Sequence, residues 1–152
     1  MKTIFNVEGK LNKGFVGQIT YTVCLDKPLS KLDIEFKFNK QHYTPELVTP
    51  ELISEMCDTF RRLYGVERSR EEMRNCILKD MKTEIHTLAV LNDEFIGCIH
   101  RQLTDRHMTF DGENTAHGCI SLESFEGVLK ITLLVFNVIL DGTEYELTVS
   151  GE

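Results

Sequence analysis

The chain has no tryptophan, only three prolines in 152 residues, and no Cys-x-x-Cys pair among its five cysteines. So few prolines, with ten glycines, exclude a Pro/Gly-rich linker or low-complexity segment. An odd cysteine count without paired spacing excludes the common disulfide frameworks and zinc knuckles. No HExxH, no P-loop and no G-x-S-x-G elbow is present, so the chain carries none of the short motifs that announce a metalloprotease, an NTPase or an α/β-hydrolase. The opening Met1-Lys2-Thr3-Ile4-Phe5 segment lacks the apolar run of a secretory signal, which makes the cytoplasm the expected compartment. The longest apolar stretch, Ile131 to Leu140, is broken by Thr132 and Asn137 and is too short to span a bilayer, so no membrane is expected.

A surplus of positive charge is also missing. The formal net charge is −7, which argues against nucleic acid as a partner, because phosphate backbones are held by excess Lys and Arg. The charge is unevenly spread. Residues 1–43 hold seven Lys against four acids, residues 44–84 hold seven bases against nine acids, and residues 85–152 hold three bases against eleven acids. Either the surface is polarised or the two ends of the chain face one another and neutralise.

With 41% hydrophobic and 27% charged residues, the chain is long enough for one domain around one core, residues 1–152. Phe15, Ile19, Tyr21, Val23 and Leu25 alternate with Gln18, Thr20 and Thr22, which is a half-buried strand. Leu32, Ile34, Phe36 and Phe38 alternate with charged residues in the next strand. With a short strand over residues 2–8, these predict an antiparallel meander. The period then changes to that of a helix. Thr49-Pro50-Glu51 is an N-cap, a first-turn proline and a first-turn acid, and Gly65 is the stop. Ser69-Arg70-Glu71-Glu72 is a capping box that opens a second helix with a thinner apolar stripe, expected nearer the surface. Strand character returns at residues 85–91, 95–103, 115–124 and 127–140, with a turn at Asn92-Asp93. Asp141-Gly142 predicts a two-residue hairpin into a last strand bearing Tyr145, Leu147 and Val149.

One motif recurs: Phe15-Val16-Gly17-Gln18-Ile19, Phe95-Ile96-Gly97-Cys98-Ile99 and Phe125-Glu126-Gly127-Val128-Leu129. The glycine shares a strand face with the Phe and the aliphatic residue, and its missing side chain leaves room for a bulge, a bend or a neighbour. The expected architecture is α+β, with a curved antiparallel sheet of about eight strands and a two-helix insertion after the third strand that packs on its concave face.

Such a fold predicts a non-enzymatic binding protein. It would hold a small, partly apolar ligand between the helices and the sheet, lined by Tyr21, Phe36, Phe38, Met56, Phe60 and Tyr64. No cofactor is called for. Four other constellations compete. His100, Asp105 and His107, within a polar stretch that includes Arg101, Gln102 and Arg106 and runs on through Asp111 and Glu113 to His117, supply the acid, base and anion-clamp groups of a hydrolase. A register that sets Cys98 opposite Cys119 also sets His100 opposite His117, and two thiolates with two imidazoles make a tetrahedral zinc set. Arg61, Arg62, Arg68, Arg70 and Arg74 would clamp an anion, although Asp58 and Glu71 lie at helix-pairing distance. The acids Asp141, Glu144 and Glu146 suit a protein-interaction or inhibitor-type module that engages a basic partner.

Overall fold

A computed structural model of the protein describes residues 1–100 and 103–152, the side chain of residue 113 excepted. Eight strands run as β1 (Lys2–Leu11), β2 (Gly17–Leu29), β3 (Leu32–Phe38), β4 (Glu84–Leu91), β5 (Glu94–Ile99), β6 (Asp105–Phe110), β7 (Phe125–Asn137) and β8 (Thr143–Gly151). Helices α1 (Pro50–Tyr64) and α2 (Arg70–Lys79) lie between β3 and β4, as the period change predicts. Neither helix is long and apolar enough to cross a membrane.

The strands do not form one curved sheet. They form two four-stranded antiparallel sheets, β1-β8-β3-β6 and β2-β7-β4-β5, and no sheet is closed or strongly curled. The inner faces carry the alternating apolar positions read from the sequence: Leu32, Ile34 and Phe36 from β3 and Leu147 and Val149 from β8 meet Leu129, Ile131 and Leu133 from β7 and Ile85 and Ala89 from β4. Two sheets with one apolar face each bury both by facing one another.

The expected meander is absent because β1 and β3 belong to one sheet and β2 to the other. The Asp141-Gly142 turn likewise joins no hairpin, since β7 and β8 lie in opposite sheets. Before that turn Val138 and Ile139 are buried. The Val138 carbonyl accepts from Gly14 N–H (2.8 Å), and Ile139 N–H donates to the Thr83 hydroxyl (3.2 Å), which diverts the chain across the end of the sandwich. Among the described residues the one hairpin between consecutive strands is β4–β5, turning at Asn92 (φ 50°) and Asp93 (φ 66°), the positive-φ pair that matches strand twist.

Both helix starts and the first stop follow the sequence signals. Thr49 Oγ1 accepts from Leu52 N–H (3.2 Å), and Gly65 adopts φ 65° with its N–H on the Arg61 carbonyl (3.0 Å). Ser69 and Glu72 exchange reciprocal capping bonds (2.8 and 3.1 Å). The helices do not lie across a sheet face. They build a second apolar cluster with Tyr43, Val48 and Ile139 at one end of the sandwich. Within it α2 is the deeper helix despite its thinner stripe: Met73 and Ile77, one turn apart, are fully buried, whereas Leu63 and Tyr64 at the end of α1 are exposed.

The charge split resolves as mutual neutralisation. β1 pairs with β8 along its length, the amino terminus meets Glu152 (3.1 Å), and Lys10 meets Glu144 (3.1 Å).

Candidate functional site

The open side of the sandwich between β5 and β6, the edge strands of the two sheets, is bridged by the segment that follows β6. Ala116 N–H donates to the Thr109 carbonyl of β6 (2.7 Å), Cys98 N–H of β5 donates to the Gly118 carbonyl (3.0 Å), and Ile120 N–H donates to the Ile96 carbonyl (2.8 Å). Gly97 makes this crossing possible, because a Cβ there would lie 2.9 Å from Cys119 Sγ and 2.8 Å from Met108 Cε. Residues 115–124, expected as a full strand, therefore make only an isolated bridge, Gly97↔Cys119.

That bridge is one residue away from the register that would gather two cysteines and two histidines. A one-residue slip sends alternate side chains to opposite faces. Cys119 packs inward against the core, while Cys98, His100 and His117 line a cleft of about 410 Å³ beneath the bridging segment. The two-thiolate, two-imidazole set does not assemble.

Ile99, Leu103 and Ala116 form the cleft's apolar wall, and its remaining polar lining is Asp105, Arg106 and His107. Arg106, which the sequence gives only as a member of the polar stretch, turns inward. It shares the inner face of β6 with Met108 and Phe110 and is 4% exposed. Its guanidinium lies 4.9 Å from the centroid of the Phe36 ring and donates through Nη1 to the Ile85 carbonyl of the opposite sheet (2.6 Å). Burial pulls its pKa down to about 10, so it remains a cation at neutral pH. The available signal was its phase: Arg106, Met108 and Phe110 fall at strand period two. Burial pushes the Cys98 thiol up, with Arg106 opposing it. Arg101 and Gln102, part of the same polar stretch, lie outside the described residues, as does the Glu113 side chain.

On the outer face of the same β6 edge, His107 Nδ1 lies 2.9 Å from Asp33 Oδ2, and the Thr109 hydroxyl donates to Asp33 Oδ1 (2.8 Å). His107 Nε2 faces Glu35 Oε1 (3.3 Å) and Asp105 Oδ1 (3.8 Å). Burial alone would lower the imidazole's pKa, but the Asp33 hydrogen bond and the charges of Asp33, Glu35 and Asp105 outweigh it and raise it. The Lys37 ammonium also contacts Glu35. Sequence alternation gives Asp33, Glu35 and Lys37 only as a solvated face, because their partners on β6 are remote in the chain.

The six aromatic and methionine candidates are divided. Phe36, Phe38 and Tyr21 belong to the core between the sheets, with Tyr21 Oη 2.6 Å from Tyr145 Oη. Met56, Phe60 and Tyr64 lie on α1; Met56 and Phe60 pack on the helical cluster, and Phe60 and Tyr64 meet edge to face. Tyr21, Phe36 and Phe38 thus fall in one apolar cluster and Met56 and Phe60 in the other. Three of the arginines near the helical turn have partners on the helices: Arg70 bonds the Ser54 hydroxyl (2.8 Å) and the Pro50 carbonyl (2.9 Å), Arg61 pairs with Asp58 and also with Glu67 in the turn, and the Arg68 guanidinium lies over the Phe60 ring. The acids of the last strand face partners within the chain, Glu144 on Lys10 and Glu146 on Asn6 (2.7 Å). A larger, shallower groove of about 680 Å³ runs over Gly9, Phe38 and Tyr145, and the Lys10–Glu144 pair spans its rim.

Fold and cleft together define an antiparallel two-sheet sandwich with a helical appendage at one end and a cleft of mixed polar and apolar lining at an open edge. The chain belongs to a family of unknown function, DUF6669, which matches residues 1–151. No curated protein and no solved structure matches it.

Proposed function

We propose that the protein is a non-enzymatic binding protein that takes a small, partly apolar molecule bearing an anionic group into the cleft at the β5–β6 edge. The observation that carries this reading is the buried Arg106 guanidinium of a cleft lined also by His100, His107 and His117, with Asp105 and Cys98 as its other titratable groups. A guanidinium held over an aromatic ring is a pre-oriented fork for carboxylate or phosphate, and desolvation strengthens the contact. The apolar wall of Ile99, Leu103 and Ala116 suits a hydrocarbon body. The cleft volume lies within the range of small-molecule sites, roughly 300–1,000 Å³.

Binding is favoured over catalysis because Cys98, the thiol lining the cleft, is held protonated by burial, whereas nucleophilic cysteines are activated by a depressed pKa. Thermal-shift screening with short-chain carboxylates and phosphate monoesters tests the proposal. A ligand at 100 times its Kd raises stability by about 2.7 kcal/mol, an easily read shift. The stabilisation should vanish in Ala116→Leu, which fills the cleft from its outer wall, and in Arg106→Met. Ligands that stabilise the wild type and Ala116→Leu equally would contradict it.

A further inference from the structure

We propose that Glu35, Asp105 and His107 bind a divalent transition-metal ion on the outer face of the β3–β6 ladder, with Asp33 orienting the imidazole from behind. Their ligand atoms all lie within 4.8 Å of one another, close enough for one ion to bond each. The backbone sets this convergence: Glu35 is directly opposite His107, and Asp105 is opposite Lys37, so the three side chains leave the same face at adjacent register positions.

The arrangement behind the imidazole is that of a metal-ligating histidine. Asp33 accepts from Nδ1 (2.9 Å) and is itself fixed by the Thr109 hydroxyl (2.8 Å). With Nδ1–H committed to Asp33, the neutral tautomer presents its Nε2 lone pair toward Glu35 and Asp105, the geometry in which an outer carboxylate sets tautomer and ring angle. Two carboxylates and one imidazole are hard to borderline donors, which favours Mn²⁺ or Zn²⁺ over soft cations, and three protein ligands leave positions for water. The Lys37 ammonium contacts Glu35, so the ion enters by displacing one cation from a carboxylate. This site stands apart from the reading of the cleft, although Asp105 and His107 line both.

Mn²⁺ is the right probe, because the chain's five thiols would compete for Zn²⁺. Loss of the free Mn²⁺ paramagnetic resonance signal on titrating the full, tag-free chain should report one ion per chain. Glu35→Gln and His107→Gln should each weaken binding at least tenfold. Asp33→Asn should weaken it roughly 10- to 100-fold by freeing the ring, without removing a ligand. Lys37→Gln, which removes the competing cation, should tighten binding roughly tenfold, a gain that no loss of folding can imitate. No Mn²⁺ uptake at millimolar metal would overturn the proposal, and so would uptake that survives the Glu35→Gln/His107→Gln double substitution.

Discussion

Replacing Gly127 with alanine tests how the fold uses one of its three Phe-x-Gly motifs. Gly127 has φ +108°, a conformation that L side chains rarely adopt, and it sits where the β2–β7 register shifts between Leu25 and Leu29. An added Cβ would fall 2.1 Å from Asn92 Oδ1. That oxygen accepts from Val128 N–H (2.9 Å), and Asn92 Nδ2 donates to the Glu126 carbonyl (2.8 Å), so the β4–β5 turn is clamped onto β7 through the space the glycine leaves. The backbone strain costs about 1–2 kcal/mol. Displacing Asn92 loses two exposed hydrogen bonds, about 0.5–1 kcal/mol each. The expected total is about 2–4 kcal/mol, a fall in Tm of about 5–15 °C for a chain of this length. Urea unfolding of Gly127→Ala, Asn92→Ala and the double variant separates the two parts. In the Asn92→Ala background the alanine should cost only its backbone share, about 1–2 kcal/mol. Equal costs in both backgrounds would refute the clamp.

Three further outcomes follow from individual groups. The Thr87 hydroxyl is buried and lacks a hydrogen-bond partner among the described residues, so Thr87→Val, nearly isosteric, should raise stability by about 1 kcal/mol in urea unfolding, and a loss would show that the hydroxyl is satisfied. Burial pushes the Cys119 thiol up to about 11, helped by neighbouring Cys98, so at pH 8 it should react with a disulfide reagent roughly 100-fold more slowly than an ordinary exposed thiol; mass spectrometry of partially labelled protein should find exposed Cys24 modified first. Because the folded imidazole of His107 has a raised pKa, its stabilising contribution is complete below the ordinary value of about 6.5 and is lost as pH rises through the folded value; His107→Gln should flatten that part of the stability–pH profile, and an unchanged profile would count against the Asp33 contact.

Local chemistry was legible and long-range partnership was not. The Thr49 cap, the Gly65 stop and the Ser69–Glu72 box act within a few residues, so the sequence carries them directly. The alternation of Leu32, Ile34, Phe36 and Phe38 fixes which side chains point inward but not which sheet the strand joins. Asp141-Gly142 is a hairpin dipeptide placed where buried Ile139 and the Thr83 hydroxyl draw the chain over to the other sheet. The polar stretch from His100 to His117 was visible as a group. Its architecture turned on one residue of register, set by Gly97 yielding to Cys119, and on Arg106, whose charge disguised an inward position. The set Glu35, Asp105 and His107 was invisible because β3 and β6 lie far apart in the chain and meet only through the sheet.

The most direct test of the central claim is an amide chemical-shift map of the labelled protein titrated with a small carboxylate or phosphate ester that stabilises it. The cleft reading predicts saturable shifts at residues 98–100, 105–107 and 116–118, absent in Ala116→Leu. Shifts centred instead on the helical cluster around Met56 and Phe60, or on the Lys10–Glu144 groove, would contradict it.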